Sequence, residues 1–279
     1  MTGSLRKLQC ITMDVTGTLI AYKGKLGDYY CMAAKNVGLP CPDYERMHKG
    51  FKVAYNNMAK RFPCFGWNAK MDSKTWWRMC VQDSFIQAGY TYDDATFDKV
   101  FDRIYAAFGS TAPYILFPDA IPFVRWARSE GIVVGILSNS DSRYQDVILP
   151  ALGLHQGSEW DFGIFSGTVG LEKPDPSMYE LALRSAGNIP VANSLHIGDN
   201  FEKDYLPALS IGMKALLLDR FNTVEAKVWK EKGSTVLQNL LAIQKWIIQH
   251  ENLHSSELVT NGSRHLQKEA LPRNNCLRQ

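Results

Sequence analysis

The 279-residue chain has no C-x-x-C pair, no apolar run long enough to cross a bilayer, no internal repeat and no excess of charge of either sign. Each absence removes a class of function. Its six cysteines, Cys10, Cys31, Cys41, Cys64, Cys80 and Cys276, lack the spacing of a metal finger or a redox pair. They read as ordinary reduced thiols of an intracellular protein. Lysine and arginine number 31 against 28 aspartates and glutamates, a formal net charge of +3, and that balance does not describe a nucleic-acid groove or a partner for anionic membranes. No stretch reaches the roughly 18 apolar residues of a membrane span, and the few residues before the first predicted strand leave no room for a cleavable leader. The expectation is a soluble cytoplasmic protein, a nuclear location also being open, that binds neither nucleic acid nor membrane. What the chain does have is apolar surface: 46% of its residues are hydrophobic and seven are tryptophan, enough for a full core.

The stretch Leu8 to Ile20, LQCITMDVTGTLI, is an apolar run broken by Asp14 and then a Thr/Gly turn, which reads as a buried strand with a carboxylate at its C-terminal end. Residues 23–112 follow with helical character. Helices are predicted over Asp43 to Lys60, Thr75 to Ala88 with Ser73 as N-cap, and Asp93 to Phe108, and RFPCFGWN reads as a Pro/Gly loop. From Pro118 the pattern alternates. Predicted strands lie at Ile132 to Leu137, Phe162 to Phe165, Ser194 to Ile197 and Lys214 to Leu218. Helices are expected over Asp119 (as N-cap) to Ser129, Tyr144 to Leu152, Ser177 to Ala186, Asp204 to Ile211 and Val236 to Gln249. This βαβ repetition predicts an α/β fold, a doubly wound, Rossmann-like parallel sheet covered by helices. The expected division is a core of residues 1–22 and 113–250, an inserted helical module of 23–112 and a disordered polar tail of 251–279.

Four polar features end successive strands. Asp14 is either a turn cap or a nucleophile; Ser138-Asn139 offers a hydroxyl and backbone amides, or simply a helix cap. Lys173 in GLEKPDP is kept out of a helix by Pro174, and Asp199 and Asp204 in GDNFEKD could flank a metal or cap the next helix. Taken singly, each has an ordinary structural explanation. Taken in this order on successive β/α units, they converge on one edge of one sheet.

With these residues in view, the chain resembles the haloacid dehalogenase-like hydrolase superfamily over Leu8 to Leu218, and the helical insertion resembles the cap of its first subclass. GDNFEKDYLPALSIGM together with the order of the four features carries the resemblance. It implies that Asp14 attacks phosphorus to form an aspartyl-phosphate, with Mg²⁺ held by Asp14, the Thr16 carbonyl and Asp199, and Asp204 supporting. It further implies that Ser138 and the amides around Asn139 and Gly17 bind phosphoryl oxygens, and that Lys173 balances the charge of Asp14 and phosphate. A small phosphorylated metabolite is the substrate so implied. Tyr22, Lys25, Arg61, Phe65 and Trp67 are candidates for setting specificity, while His196, inside a predicted strand, reads as core.

The chain departs from the family's phosphatases at one position. They carry a second Asp two residues after the first, as acid and base for the leaving alcohol and the water; here that residue is Thr16. The departure implies a slow phosphatase, one restricted to good leaving groups such as aryl or acyl phosphates, one that borrows a group from the cap or substrate, or a binding protein that does not turn over. Asp14-Val15-Thr16-Gly17-Thr18 also resembles the phosphorylation motif of P-type ion pumps, which the lack of a membrane span excludes. True dehalogenation, by attack on carbon, needs no metal and is disfavoured by Asp199 and Asp204.

Overall fold

A computed structural model of the chain describes residues 8–251. It begins with β1 (Cys10–Met13) and β2 (Ile20–Tyr22), then passes into helices α1 (Leu26–Asn36), α2 (Tyr44–Arg61), α3 (Pro63–Gly66), α4 (Ser73–Gln87) and α5 (Asp94–Phe108), and returns through β3 (Tyr114–Leu116). Alternation follows: α6 (Ala120–Ser129), β4 (Val133–Ser138), α7 (Leu149–Ala151), β5 (Phe162–Phe165), α8 (Ser166–Val169), α9 (Pro176–Ser185) and β6 (Ser194–Gly198). The chain closes with α10 (Leu206–Ser210), β7 (Lys214–Leu218), α11 (Val224–Glu231), β8 (Val236–Leu237) and α12 (Leu240–His250).

Six strands pair in the order β5-β4-β1-β6-β7-β8, every pair parallel. Strands covered on both faces need apolar residues at every position, and all four residues of β1 are buried. After β1 the chain builds β4 and β5 on one side and then crosses to β6, β7 and β8 on the other. The order therefore reverses at β1, and a crevice opens beyond the carboxyl ends of the strands at such a point. Asp14 is the first residue past that end, its N–H donating to the Ile197 carbonyl at 2.9 Å.

The helical block α1 to α5 has an apolar core of its own, centred on Tyr30, Phe51, Trp76, Phe85 and Phe97. Its exit and return segments run side by side as the antiparallel pair β2–β3, with Ile20 opposite Leu116 and Tyr22 opposite Tyr114. Arg220, in the loop after β7, holds both segments. Its Nε and one terminal nitrogen donate to the Thr18 carbonyl at 2.9 and 2.7 Å, and its terminal nitrogens reach Asp119 at 3.1 and 2.9 Å. The guanidinium lies 3.8 Å from the centroid of the Phe117 ring. Asp119 in turn accepts from the Leu240 N–H at 2.8 Å, at the start of α12.

Several local expectations are corrected. Asp119 stands at the N-cap position of α6 but makes no side-chain cap there, because its carboxylate serves Arg220 and α12. The cap of α4 is Asp72, whose carboxylate accepts from the Thr75 N–H; Ser73 is the first helical residue. Val236 and Leu237, expected as the start of the last helix, instead extend the sheet beside Leu217 and Leu218, and α12 begins after its Asn239 cap. Helical structure around Asp204 starts earlier than expected, at Phe201, capped by Asn200. The RFPCFGWN stretch holds α3, in which Cys64 and Phe65 take left-handed φ of 50° and 56°. Helices α1 and α11 were not singled out by periodicity, and Glu251, the first residue of the expected tail, is ion-paired to Lys214 at 2.5 Å. The rest of that tail, 252–279, lies outside the described residues.

Removing the guanidinium leaves a buried Asp119 carboxylate and an unpaired Thr18 carbonyl, a change that costs roughly 3–5 kcal/mol when one partner of a buried ion pair is lost. Arg220→Met is expected to lose stability on that scale in urea unfolding, and adding Asp119→Asn to recover part of it. An Arg220→Met protein as stable as wild type would contradict this role.

Candidate functional site

Lys173 is the centre of the site. Its ammonium is buried and donates to Asp14 Oδ1 and to Asp204 Oδ1, both at 2.6 Å. Burial opposes a charge on Lys173, but the two carboxylates outweigh it and hold the ammonium's pKa above the usual lysine range. The backbone of Lys173 is clamped as well: the Asn139 side chain donates to its carbonyl at 2.8 Å and accepts from its N–H at 2.7 Å. Asn139 thus ties the end of β4 to the loop carrying Lys173, so its side chain is committed to positioning.

One ammonium cannot serve two carboxylates equally. Asp204 has further partners in the Asn200 N–H at 2.9 Å and His196 Nε2 at 3.2 Å. Although burial pushes its proton affinity up, Lys173 and His196 pull it well below the usual carboxylate range. Asp14 has fewer partners. Burial pushes its pKa up, and the neighbouring Asp204 charge adds to that, against the pull of Lys173.

Asp199 completes an acidic triad: one carboxylate oxygen from each of Asp14, Asp199 and Asp204 lies within 4.8 Å of the others. Two glycines make this closeness possible. A Cβ on Gly17 would fall 2.3 Å from Asp199 Oδ2, in a backbone with φ of +87°, and a Cβ on Gly198 would fall 2.2 Å from Asp204 Cγ. Ionised, the cluster sets three carboxylates beside the one ammonium of Lys173. An all-oxygen donor set of that charge suits a hard divalent cation, and the Asp14 and Asp199 side is where it fits, since Asp204 is occupied by Lys173, His196 and Asn200. Ser138, the last residue of β4, is buried at the same strand-end edge, and Thr16 is half-buried in the turn after Asp14. The residues named from sequence as nucleophile, phosphate binders and metal ligands therefore stand together at the carboxyl edge of the sheet.

The specificity candidates divide. Tyr22 lines a cavity of about 40 Å³ between the helical block and the core, together with Tyr30, Trp77, Tyr105, Tyr114 and Tyr144. Phe65 and Trp67 lie against the backbone of α8, since a Cβ on Gly167 would come within 3.4 Å of Phe65 and one on Gly170 within 2.2 Å of Trp67. Lys25 is paired to Glu45 at 2.6 Å and exposed Arg61 lies over Phe62, 5.0 Å from its ring centroid, so neither has an observed tie to the site.

Sequence reasoning passed over several residues beside the site. Asp141, three residues past Ser138, is buried and binds Arg143 at 2.7 Å and the Trp77 indole N–H at 2.5 Å, fastening α4 to the loop after β4. Tyr144 shares a hydrogen bond of 2.8 Å with the Tyr22 hydroxyl and neighbours the Thr16 side chain. His196 is indeed core, yet it also bonds Thr12 at 2.8 Å and supports Asp204. A polar residue inside an otherwise apolar strand was the available signal for His196; nothing local marks Trp77 or Tyr144.

A family model described as haloacid dehalogenase-like hydrolase matches residues 8–212. Haloacid dehalogenase-like hydrolase domain-containing protein 3 of zebrafish, Danio rerio, is 31% identical over 210 residues, covering 75% of this chain and 84% of that protein. The rhythmically expressed gene 2 protein of Drosophila melanogaster is 28% identical over 223 residues, covering 77% and 84%. Among solved structures, a 2-haloacid dehalogenase from Pseudomonas syringae matches with a TM-score of 0.58 at 19% identity, covering 87% of this chain and 99% of that one. A putative HAD-hydrolase from Bacillus subtilis, solved bound to magnesium, matches with a TM-score of 0.60 at 15% identity over 88% of this chain and 100% of that one. At these identities the two structures share the fold.

The site makes stability depend on pH with a definite sign. Burial lowers the pKa of His196 below its ordinary 6.5, so the unfolded chain takes up a proton on acidification before the folded one does. Its contribution is complete above about pH 6.5 and is lost as pH falls through the folded value. The Asp204 contribution, with a depressed carboxylate pKa, is lost only below about pH 4. With divalent cations chelated, the melting temperature of wild type is expected to fall between about pH 7.5 and 5.5, and that of His196→Asn to fall less. His48, also buried with a lowered pKa, contributes separately, and His48→Asn serves as the control. An equal fall in wild type and His196→Asn would refute the assignment.

Proposed function

The chain belongs to the haloacid dehalogenase-like hydrolase family, and from that premise we propose that it is a Mg²⁺-dependent phosphatase of a small phosphorylated metabolite acting through an aspartyl-phosphate on Asp14. The observation that carries this reading is the Asp14 carboxylate at the switch point of the sheet, 2.6 Å from an ammonium it shares with Asp204. Asp14 attacks phosphorus, and water hydrolyses the resulting acyl phosphate. Ser138 and the amides of Gly17 and Asn139 hold the phosphoryl oxygens. Lys173 offsets the repulsion between an anionic nucleophile and an anionic substrate. Asp14, Asp199 and the Thr16 carbonyl would hold Mg²⁺, which supplies further charge neutralisation at the transferring phosphoryl group. Asp204, held by His196 and Asn200, keeps Lys173 aimed at Asp14. In this reading the helical block is a cap that shields the site from water, and the protein works in the cytoplasm on a metabolite, without nucleic acid or membrane as partner.

Thr16 favours a second reading, a family member that binds ligand and turns over weakly or not at all. Displacement at carbon is the weaker alternative despite the dehalogenase-like fold, because three carboxylates within 4.8 Å of one another suit a cation and a phosphate.

The readings separate on a panel of phosphate compounds assayed with and without Mg²⁺. Asp14→Asn is expected to abolish turnover, and Thr16→Asp to raise kcat on alkyl phosphates by on the order of 10²-fold or more, within the range of general acid–base catalysis. Absence of Mg²⁺-dependent turnover on every compound, together with no Mg²⁺ binding by calorimetry, would favour the binding reading.

A further inference from the structure

Two features beside Tyr144 bear on which phosphate compound the site takes. On one side is the turn that carries Thr16, whose side chain neighbours the Tyr144 hydroxyl. A threonine hydroxyl can donate a hydrogen bond to a departing oxygen but cannot give up its proton to it, so the leaving group has to depart as a stable anion unaided. Alkoxides fail this condition; aryl oxides and carboxylates meet it.

On the other side of the Tyr144 ring lies the cavity, and its size and lining choose between those two. Its volume of about 40 Å³ is far below the roughly 150 Å³ in which an apolar protein cavity takes up benzene. Tyr30, Phe101 and Ile104, each 2% exposed, are packed walls. The floor is equally tight, with the Tyr22 and Tyr114 rings 5.3 Å apart and Tyr114 and Tyr144 6.0 Å apart. Arg143 is the one charged residue of the lining, and Asp141 engages it from Nε at 3.1 Å and from a terminal nitrogen at 2.7 Å. The cavity therefore offers no spare cation to a second carboxylate or phosphate on the substrate.

We propose that the substrates are short acyl phosphates, mixed anhydrides of phosphoric acid with a carboxylic acid of about two or three carbons, whose alkyl end lodges beside Tyr144. This rests on the phosphatase reading and narrows it. Asp14 attacks phosphorus, the bond from phosphorus to the acyl oxygen breaks, and its electron pair stays on that oxygen, giving a carboxylate that needs no proton. Water then attacks the aspartyl-phosphate. The bond to Asp14 breaks with its electron pair returning to the carboxylate, inorganic phosphate leaves with the water oxygen, and one proton is released to solvent.

The test compares kcat/KM for acetyl phosphate, benzoyl phosphate, p-nitrophenyl phosphate and glycerol 3-phosphate, each corrected by the rate with Asp14→Asn. Acetyl phosphate is expected to exceed benzoyl phosphate by at least about 10-fold, the discrimination that a single misfitting methylene gives, although both leave as carboxylates. It is expected to exceed the other two as well. Val81→Ala and Ile104→Ala, which enlarge the cavity away from the phosphoryl site, are each expected to raise benzoyl phosphate relative to acetyl phosphate by about 10-fold, with thermal melts showing that each variant is folded. Equal use of benzoyl and acetyl phosphate by wild type overturns the proposal. Asp14-dependent turnover of glycerol 3-phosphate without turnover of acetyl phosphate leaves the phosphatase reading standing and removes the acyl-phosphate assignment; no Asp14-dependent turnover of any compound removes both.

Discussion

The structure of this site depends on one ammonium shared by two buried carboxylates. Burying Asp14, Lys173 and Asp204 together is costly unless each charge is met at close range, and the fold supports them with backbone and side-chain partners drawn from β4 and β6 and the loops that follow them. Asn139, after β4, grips the Lys173 backbone; Asn200, after β6, supplies an N–H to Asp204; His196, within β6, supplies another donor. The sharing is unequal by construction. Asp204 carries the larger set of partners and holds its charge, which leaves Asp14, at the mouth of the crevice and with higher proton affinity, as the more basic carboxylate. Basicity is what a nucleophile needs, so the inequality serves attack from Asp14.

Much of this architecture was legible in the amino-acid order. Runs such as CITM and VVGILS have to be buried on both faces, and the four that follow CITM, alternating with amphipathic segments, leave few options besides a parallel sheet. Since consecutive strands of such a sheet point the same way, polar residues at their ends arrive at one edge, and the amino-acid order alone brings Asp14, Ser138, Asn139 and Asp199 together. Lys173 was harder, because it belongs to a loop; only its position between a strand and a Pro-interrupted turn marked it. The two-residue strand β8 and the antiparallel pair β2–β3 escaped notice because segments of two or three residues carry no periodicity. They exist by pairing, and pairing is a property of the partner.

The other missed residues share a cause. Trp77, Asp141, Tyr144 and Arg220 act through contacts between segments far apart in the chain, 64 residues in the case of Trp77 and Asp141 and 202 for Arg220 and the Thr18 carbonyl. Each looks locally like an ordinary core or surface residue. Asp119 shows how local reasoning misleads: an Asp just before a helix is a cap by every local rule, yet a buried guanidinium outcompetes the helix for its carboxylate, because leaving Arg220 unpaired would cost more than leaving one N–H of α6 without a side-chain cap.

Thr16 brings the two halves of the molecule into one argument. Its backbone belongs to the turn that Gly17 and Arg220 hold against Asp199 and Asp119, while its side chain faces Tyr144, which lines the floor of the cavity beneath the helical block. The residue that departs from the family's phosphatases is therefore also the one through which the catalytic edge meets the cavity. A carboxylate in its place would add a fourth negative charge to a cluster already carrying three against one ammonium. A hydroxyl avoids that cost, at the loss of a proton donor. That exchange is tolerable only where the leaving group carries its own charge, which makes the chemistry of the turn and the small apolar cavity two expressions of a single restriction on substrate.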